Sequence, residues 1–214
     1  MDPRETEREL DRAVACGEIS EEEWYARVEA LVADAYLASD DPRAQSGKSG
    51  DEVDWRWSRE LVLDACSGAA AVLDVGCANG YLMESLERWG RKRGMAISVF
   101  GLDISPRLAA VARARLPQWA DRIAIGNVMT WSPPRRFDVV HTGLDYVPPA
   151  RQRDLVERIL RVFLVPAGRM VLRAERTRDP GDELRAMGFE CHPLEAVHPR
   201  SAELRRTSWL AAAQ

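Results

Sequence analysis

The residues most able to do chemistry in this 214-residue chain lie in two short stretches. The first is Asp74-Val75-Gly76-Cys77-Ala78-Asn79-Gly80 and the second ends on Asp103. Small residues at 76, 78 and 80 permit a tight turn and let a ligand approach the backbone closely. A helix beginning just after them points its N-terminal N–H groups at the same place. A carboxylate about twenty residues beyond such glycines can accept both hydroxyls of a ribose. The two features together describe a pocket for an adenosine. The spacing G-x-A-x-G differs from the G-x-G-x-x-G of dinucleotide sites, and no pyrophosphate cradle follows it.

The elements that must hold these residues follow from the apolar periodicity. Residues 70–76, 97–103, 122–127, 137–142 and 168–174 read as short apolar strands. Amphipathic helices are expected at 79–93, 105–116, 150–165 and 182–187, the second with Ser105 as N-cap and Pro106 at its first position. Strand and helix alternate, which implies a parallel sheet covered on both faces, with ligands at the carboxyl ends of its strands. Residues 189–195 and 203–210 have no helix between them and read as an antiparallel pair at the sheet edge. Ahead of the sheet, residues 5–16 and a segment opened by the capping box Ser20-Glu21-Glu22-Glu23 are expected to be helical. Trp24, Val28, Leu31, Val32, Ala35 and Tyr36 form an apolar stripe on the latter. A polar loop over 39–51 precedes a further helix over 52–66. The boundaries are therefore 1–66 for a helical extension and 67–214 for the sheet domain.

Four runs, in order, resemble the motifs of the class I S-adenosylmethionine-dependent methyltransferases. These are Val72 to Gly80, Phe100 to Ser105, Asp121 to Val128 and Phe137 to Thr142. The resemblance spans about residue 69 to the C-terminus, and Ala78 stands where the family often has Gly. It implies an α/β, doubly wound, mostly parallel seven-stranded sheet in the order 3-2-1-4-5-7-6. It also implies S-adenosylmethionine as cofactor. Gly76, Cys77, Ala78 and Gly80 would line the methionine part through their backbone. Asp103 would bind the ribose and Ile104 would pack on adenine. Asn127 and the Val128 N–H would meet the adenine edge, and His141 would flank the sulfonium. His141, Asp145 and Tyr146 are the candidate catalytic groups, a histidine suiting proton removal near neutral pH. Asp74 is expected to hold the loop by accepting backbone N–H groups. Trp55 and Trp57, after the Ser46–Gly50 loop, are candidates for a lid over an apolar substrate site; the competing reading has them pinning a helix to the core.

Composition narrows the function. Hydrophobic residues are 46%, charged residues 30% and the net charge is −4, as in globular proteins able to bury a core unaided. No apolar run approaches the ~20 residues of a bilayer span. The charged N-terminus lacks the apolar core of a secretory signal. All basic residues except Lys48 and Lys92 are arginines, but they are scattered among acids, so a nucleic-acid partner is not expected. The four cysteines and three histidines show no metal-ligand spacing, and reduced thiols fit a cytoplasmic protein. The expected activity is methyl transfer to an O, N or C atom of a small molecule, with no metal. RNA or protein methylation, and a non-catalytic cofactor-binding partner subunit, are the alternatives.

Overall fold

The computed structural model describes residues 3–48, 50–173, 180–197, 199–200 and 204–211. Seven strands form one sheet in the order β3-β2-β1-β4-β5-β7-β6. They are β1 (Ala69–Val75), β2 (Ala96–Asp103), β3 (Ile123–Ile125), β4 (Phe137–Thr142), β5 (Leu164–Leu172), β6 (His192–Val197) and β7 (Leu204–Ala211). β1 to β5 pair in parallel, while β7 runs antiparallel to both β5 and β6. The expected order and the antiparallel edge are both found. Residues 174 and 203, assigned above to strand ends, lie outside the described residues.

The helices are α1 (Pro3–Ala15), α2 (Glu21–Leu37), α3 (Glu52–Arg59), α4 (Tyr81–Lys92), α5 (Pro106–Arg115), α6 (Gln152–Arg158) and α7 (Pro180–Ala186). Ser20 caps α2 by accepting from Glu23 N, and Ser105 caps α5 by accepting from Leu108 N. Two expected helices are shorter than their apolar patterns suggest. The one over 52–66 becomes a tighter 3₁₀ turn after Arg59, and the one over 150–165 widens into a π turn at Ile159–Phe163. No helix among the described residues is long and apolar enough to cross a membrane.

The sheet separates two apolar cores. On one face α3, the 3₁₀ turn that follows it and α4 pack Trp55, Leu63, Met83, Leu86 and Trp89 against Val72 and Val99. On the other, Leu155, Ile159 and Phe163 pack against Leu73, Val140 and Met170. Trp55 is fully buried and its indole N–H donates to Ser85 Oγ at 2.9 Å. Burying an indole of ~150–250 Å² contributes ~4–6 kcal/mol, so a tryptophan that also finds a hydrogen-bond partner stays in the core. A third, small cluster joins α2 to the sheet domain: Ala33 of α2, Ala78 of the glycine-rich turn and Leu108 of α5.

Candidate functional site

β1 leads through Gly76 into the turn that starts α4. Gly76 and Gly80 take φ +76° and +75°, and Ala78 takes φ +47°, a left-handed conformation natural to glycine and strained for alanine. The turn is held by its own backbone. Gly76 N and Cys77 N donate to Leu102 O at 2.7 and 3.2 Å, and Gly80 N donates to Cys77 O at 2.9 Å. A Cβ on Gly76 would come within 2.5 Å of the Tyr146 ring, which packs over it. Asn79 ties the turn to the preceding loop. Its amide donates to Pro42 O and Gln45 Oε1, both at 3.0 Å, while its carbonyl oxygen accepts from Ser46 Oγ at 2.6 Å and Tyr81 N at 3.0 Å.

Asp103 closes β2 beside this turn. One carboxylate oxygen accepts from Ala78 N and the other from Ser105 N, both at 2.8 Å. Burial pushes its pKa up to about 6, against the pull of those two backbone bonds. Each oxygen keeps a further lone pair. Next to it Ile104 is unusually open for its type, 38% exposed. Asn127 follows β3 and accepts from Met129 N at 2.8 Å.

These groups border one cavity, about 910 Å³ of empty space counted with its open mouth. The strand ends contribute Gly76, Ala78, Asp103, Ile104, Asn127 and Val128. The opposite wall is α2, through Trp24, Tyr25, Val28, Glu29, Val32 and Tyr36. Behind α2, Asp11 of α1 accepts from the Trp24 indole N–H at 3.0 Å; burial raises its pKa, as does the Asp145 charge nearby. At the far end of the cavity, Arg173 donates to Asp145 and to the Tyr146 hydroxyl. Asp145 Oδ1 is buried without a hydrogen-bond partner among the described residues. Burial raises the pKa of both Tyr36 and Tyr146, so each hydroxyl is a neutral donor.

Several expected site residues lie elsewhere. His141 does not border the cavity. The register sets it beside Asp74 on neighbouring strands, and its Nδ1 lies 2.8 Å from Asp74 Oδ1, both side chains being buried. Its place as a base or a cofactor contact is therefore corrected, and Asp74 holds this ring instead of the loop amides. Cys77 is buried under Gly101 and Met83, and Gly80 packs on Leu116; they shape the turn from behind. Trp55 and Trp57 are also corrected. Trp55 is core, and Trp57 borders a different, polar depression with Glu60, Leu61 and Arg88. The cover over the cavity is α2. Its stripe was visible in the sequence, but Tyr25, Glu29 and Arg173 were not singled out.

Residues 72–168 match a family model described as a methyltransferase domain. No curated protein is similar to the chain in sequence. Among solved structures, one similar in fold is the 1,6-didemethyltoxoflavin N1-methyltransferase of Burkholderia thailandensis, with its substrate and S-adenosylhomocysteine bound. It has TM-score 0.64 and 16% identity, covering 92% of each chain. A TehB-like methyltransferase of Corynebacterium glutamicum has TM-score 0.58 and 20% identity over 84% of this chain and 98% of its own. A sugar N-methyltransferase of Streptoalloteichus has TM-score 0.54 and 19% identity, over 78% and 90%.

Proposed function

We propose that the chain, whose residues 72–168 match a methyltransferase-domain model, is a class I S-adenosylmethionine-dependent methyltransferase that methylates a small molecule held between α2 and the strand ends. The carrying observation is the single cavity that joins Asp103, Ile104, Asn127 and the glycine-rich turn to an aromatic wall from α2. The residues present fit the cofactor. Asp103 retains lone pairs for ribose hydroxyls, Ile104 is an open apolar surface for adenine, and Asn127 and Val128 stand at its edge. Bound there, S-adenosylmethionine supplies an activated methyl group on a cationic sulfur.

The protein's share is orientation and exclusion of water. Trp24, Tyr36 and Tyr146 form apolar walls suited to a planar acceptor. Asp145, held by Arg173 at the far end of the cavity, is the carboxylate assigned to take the proton from the attacking N–H or O–H. One neighbour of the same fold is an N1-methyltransferase and another a sugar N-methyltransferase, and a nitrogen acceptor suits this carboxylate. The arginine content does not call for nucleic acid, since Arg27, Arg56, Arg88, Arg93 and Arg107 are among those in ion pairs with acids.

Thermal unfolding tests this reading. S-adenosylmethionine and S-adenosylhomocysteine, at ~100 times their dissociation constants, should each stabilise the chain by ~2.7 kcal/mol, and NAD should not. No shift with either sulfur compound overturns it.

A further inference from the structure

We propose that Glu29 of α2 is a second acceptor for the cofactor's ribose diol, placed opposite Asp103 so that the two carboxylates grip one hydroxyl each. The proposal rests on the cofactor reading above and adds a residue from outside the matched domain to its site.

The helix geometry places the side chain. Tyr25, Glu29 and Ala33 are spaced four apart and share one face of α2. Ala33 is fully buried against Ala78 and Leu108. One turn earlier, Glu29 therefore hangs over the end of β2 and the start of α5, and it borders the cavity together with Asp103, Ile104 and Ser105. A charged residue amid the apolar contacts of that face has no packing reason to be there.

Its hydrogen bonding is incomplete. Glu29 Oε1 is buried and has no hydrogen-bond partner among the described residues. A buried carboxylate oxygen left unpaired is unfavourable, and a donor that reaches it is bound correspondingly well. The neighbouring carboxylate makes the demand specific. Asp103 and Glu29 repel, and the Glu29 charge is one of the causes that raise the Asp103 pKa. Asp103 has spent one lone pair on each oxygen, on Ala78 N and Ser105 N. What fits between two such acceptors is a pair of adjacent neutral donors. A vicinal diol supplies them, and hydrogen bonds from hydroxyls to ionised acceptors are among the stronger ones.

Calorimetric binding of S-adenosylhomocysteine and of its 2′-deoxy and 3′-deoxy analogues tests this. Glu29→Met, similar in length and compatible with a helix, should weaken S-adenosylhomocysteine about tenfold. It should leave one of the two deoxy analogues, the one lacking the hydroxyl that Glu29 accepts, within twofold of wild type. Glu29→Gln, which keeps a neutral acceptor, should fall in between. Such a cycle isolates the contact from general effects on the fold. Unchanged binding of S-adenosylhomocysteine, or an equal loss for it and both analogues, overturns the proposal for Glu29 alone. In either case Asp103→Ala still weakens binding. A wild-type chain that binds none of the three overturns the cofactor reading as well.

Discussion

The two walls of the cavity are built on opposite plans. On the strand-end wall, polar side chains already serve the protein: Asp103 accepts two backbone N–H groups and Asn127 one. That wall is pre-organised and keeps spare lone pairs for a ligand. On the α2 wall, Glu29 presents a buried oxygen without a partner among the described residues, and Tyr25 and Tyr36 present aromatic surface. One wall is complete without ligand and the other is completed by it. On the proposals above, Asp103 of the first wall and Glu29 of the second both hold the invariant part of the ligand, and the aromatic surface of the second selects among acceptors.

The largest expected effect comes from breaking the first wall. Asp103→Ala removes a charge-assisted bond to the ribose worth ~1.5–3 kcal/mol, so S-adenosylhomocysteine binding should weaken by ~10–150-fold in calorimetry. The same carboxylate gives a pH signature. Its folded pKa, about 6, is raised above the ordinary 3.8, so the folded chain holds the proton more tightly than the unfolded one. Stability of the ligand-free protein should fall between pH 4 and 7, by about 3 kcal/mol at most. Hydroxyls donate to the ionised form, so the dissociation constant should decrease as pH rises through 6. A ligand-free stability that climbs over this interval contradicts the assignment.

The next effect concerns the joint between the walls. Ala33 is fully enclosed, and Ala33→Leu forces extra methylenes into the contact with Ala78 and Leu108, at ~1–3 kcal/mol. Thermal unfolding should register that loss, and cofactor affinity should drop with it because α2 is lifted. Arg173→Met separates the roles differently. It frees Asp145 to swing away, so turnover should fall about tenfold while binding of S-adenosylhomocysteine stays within about twofold. Equal losses in both would place Arg173 in cofactor binding instead.

The contrast also explains what the amino-acid order revealed. The strand-end wall is made of residues in short consecutive runs, where turn chemistry and strand ends dictate each position, so Gly76, Asp103 and Asn127 were legible. The α2 wall depends on how a helix docks across some seventy residues of chain, and Glu29 looks like any solvent-facing acid until Ala33 is seen packed on Ala78. His141 was misplaced for a related reason. Its position on the strand was right, but pairing with Asp74 is set by the register between β1 and β4. Of the two readings open for Trp55, the structure takes the one that pins a helix to the core, since Ser85 gives its indole N–H a partner there.

The smallest expected effect sharpens the view of the turn as the hinge point of the two walls. Ala78→Gly relieves a left-handed alanine, worth ~1–2 kcal/mol, but removes a methyl that Ala33 and Leu108 enclose, worth ~1 kcal/mol. Denaturant unfolding should shift by less than ~1 kcal/mol, whereas Gly76→Ala, at φ +76° under the Tyr146 ring, should unfold the chain far more readily.

Asn79 has a kinetic consequence. Its side chain fastens Pro42, Gln45 and Ser46 to the glycine-rich turn, and Ser46 borders the cavity. The loop before α3 and the turn after β1 are thus joined through the Asn79 side chain. Amide hydrogens of residues 43–47 and 80–81 should exchange at a common rate, and the dissociation rate of the cofactor should track it. Asn79→Ala should accelerate both together, with the hydrogen bonds of Asp103 left in place.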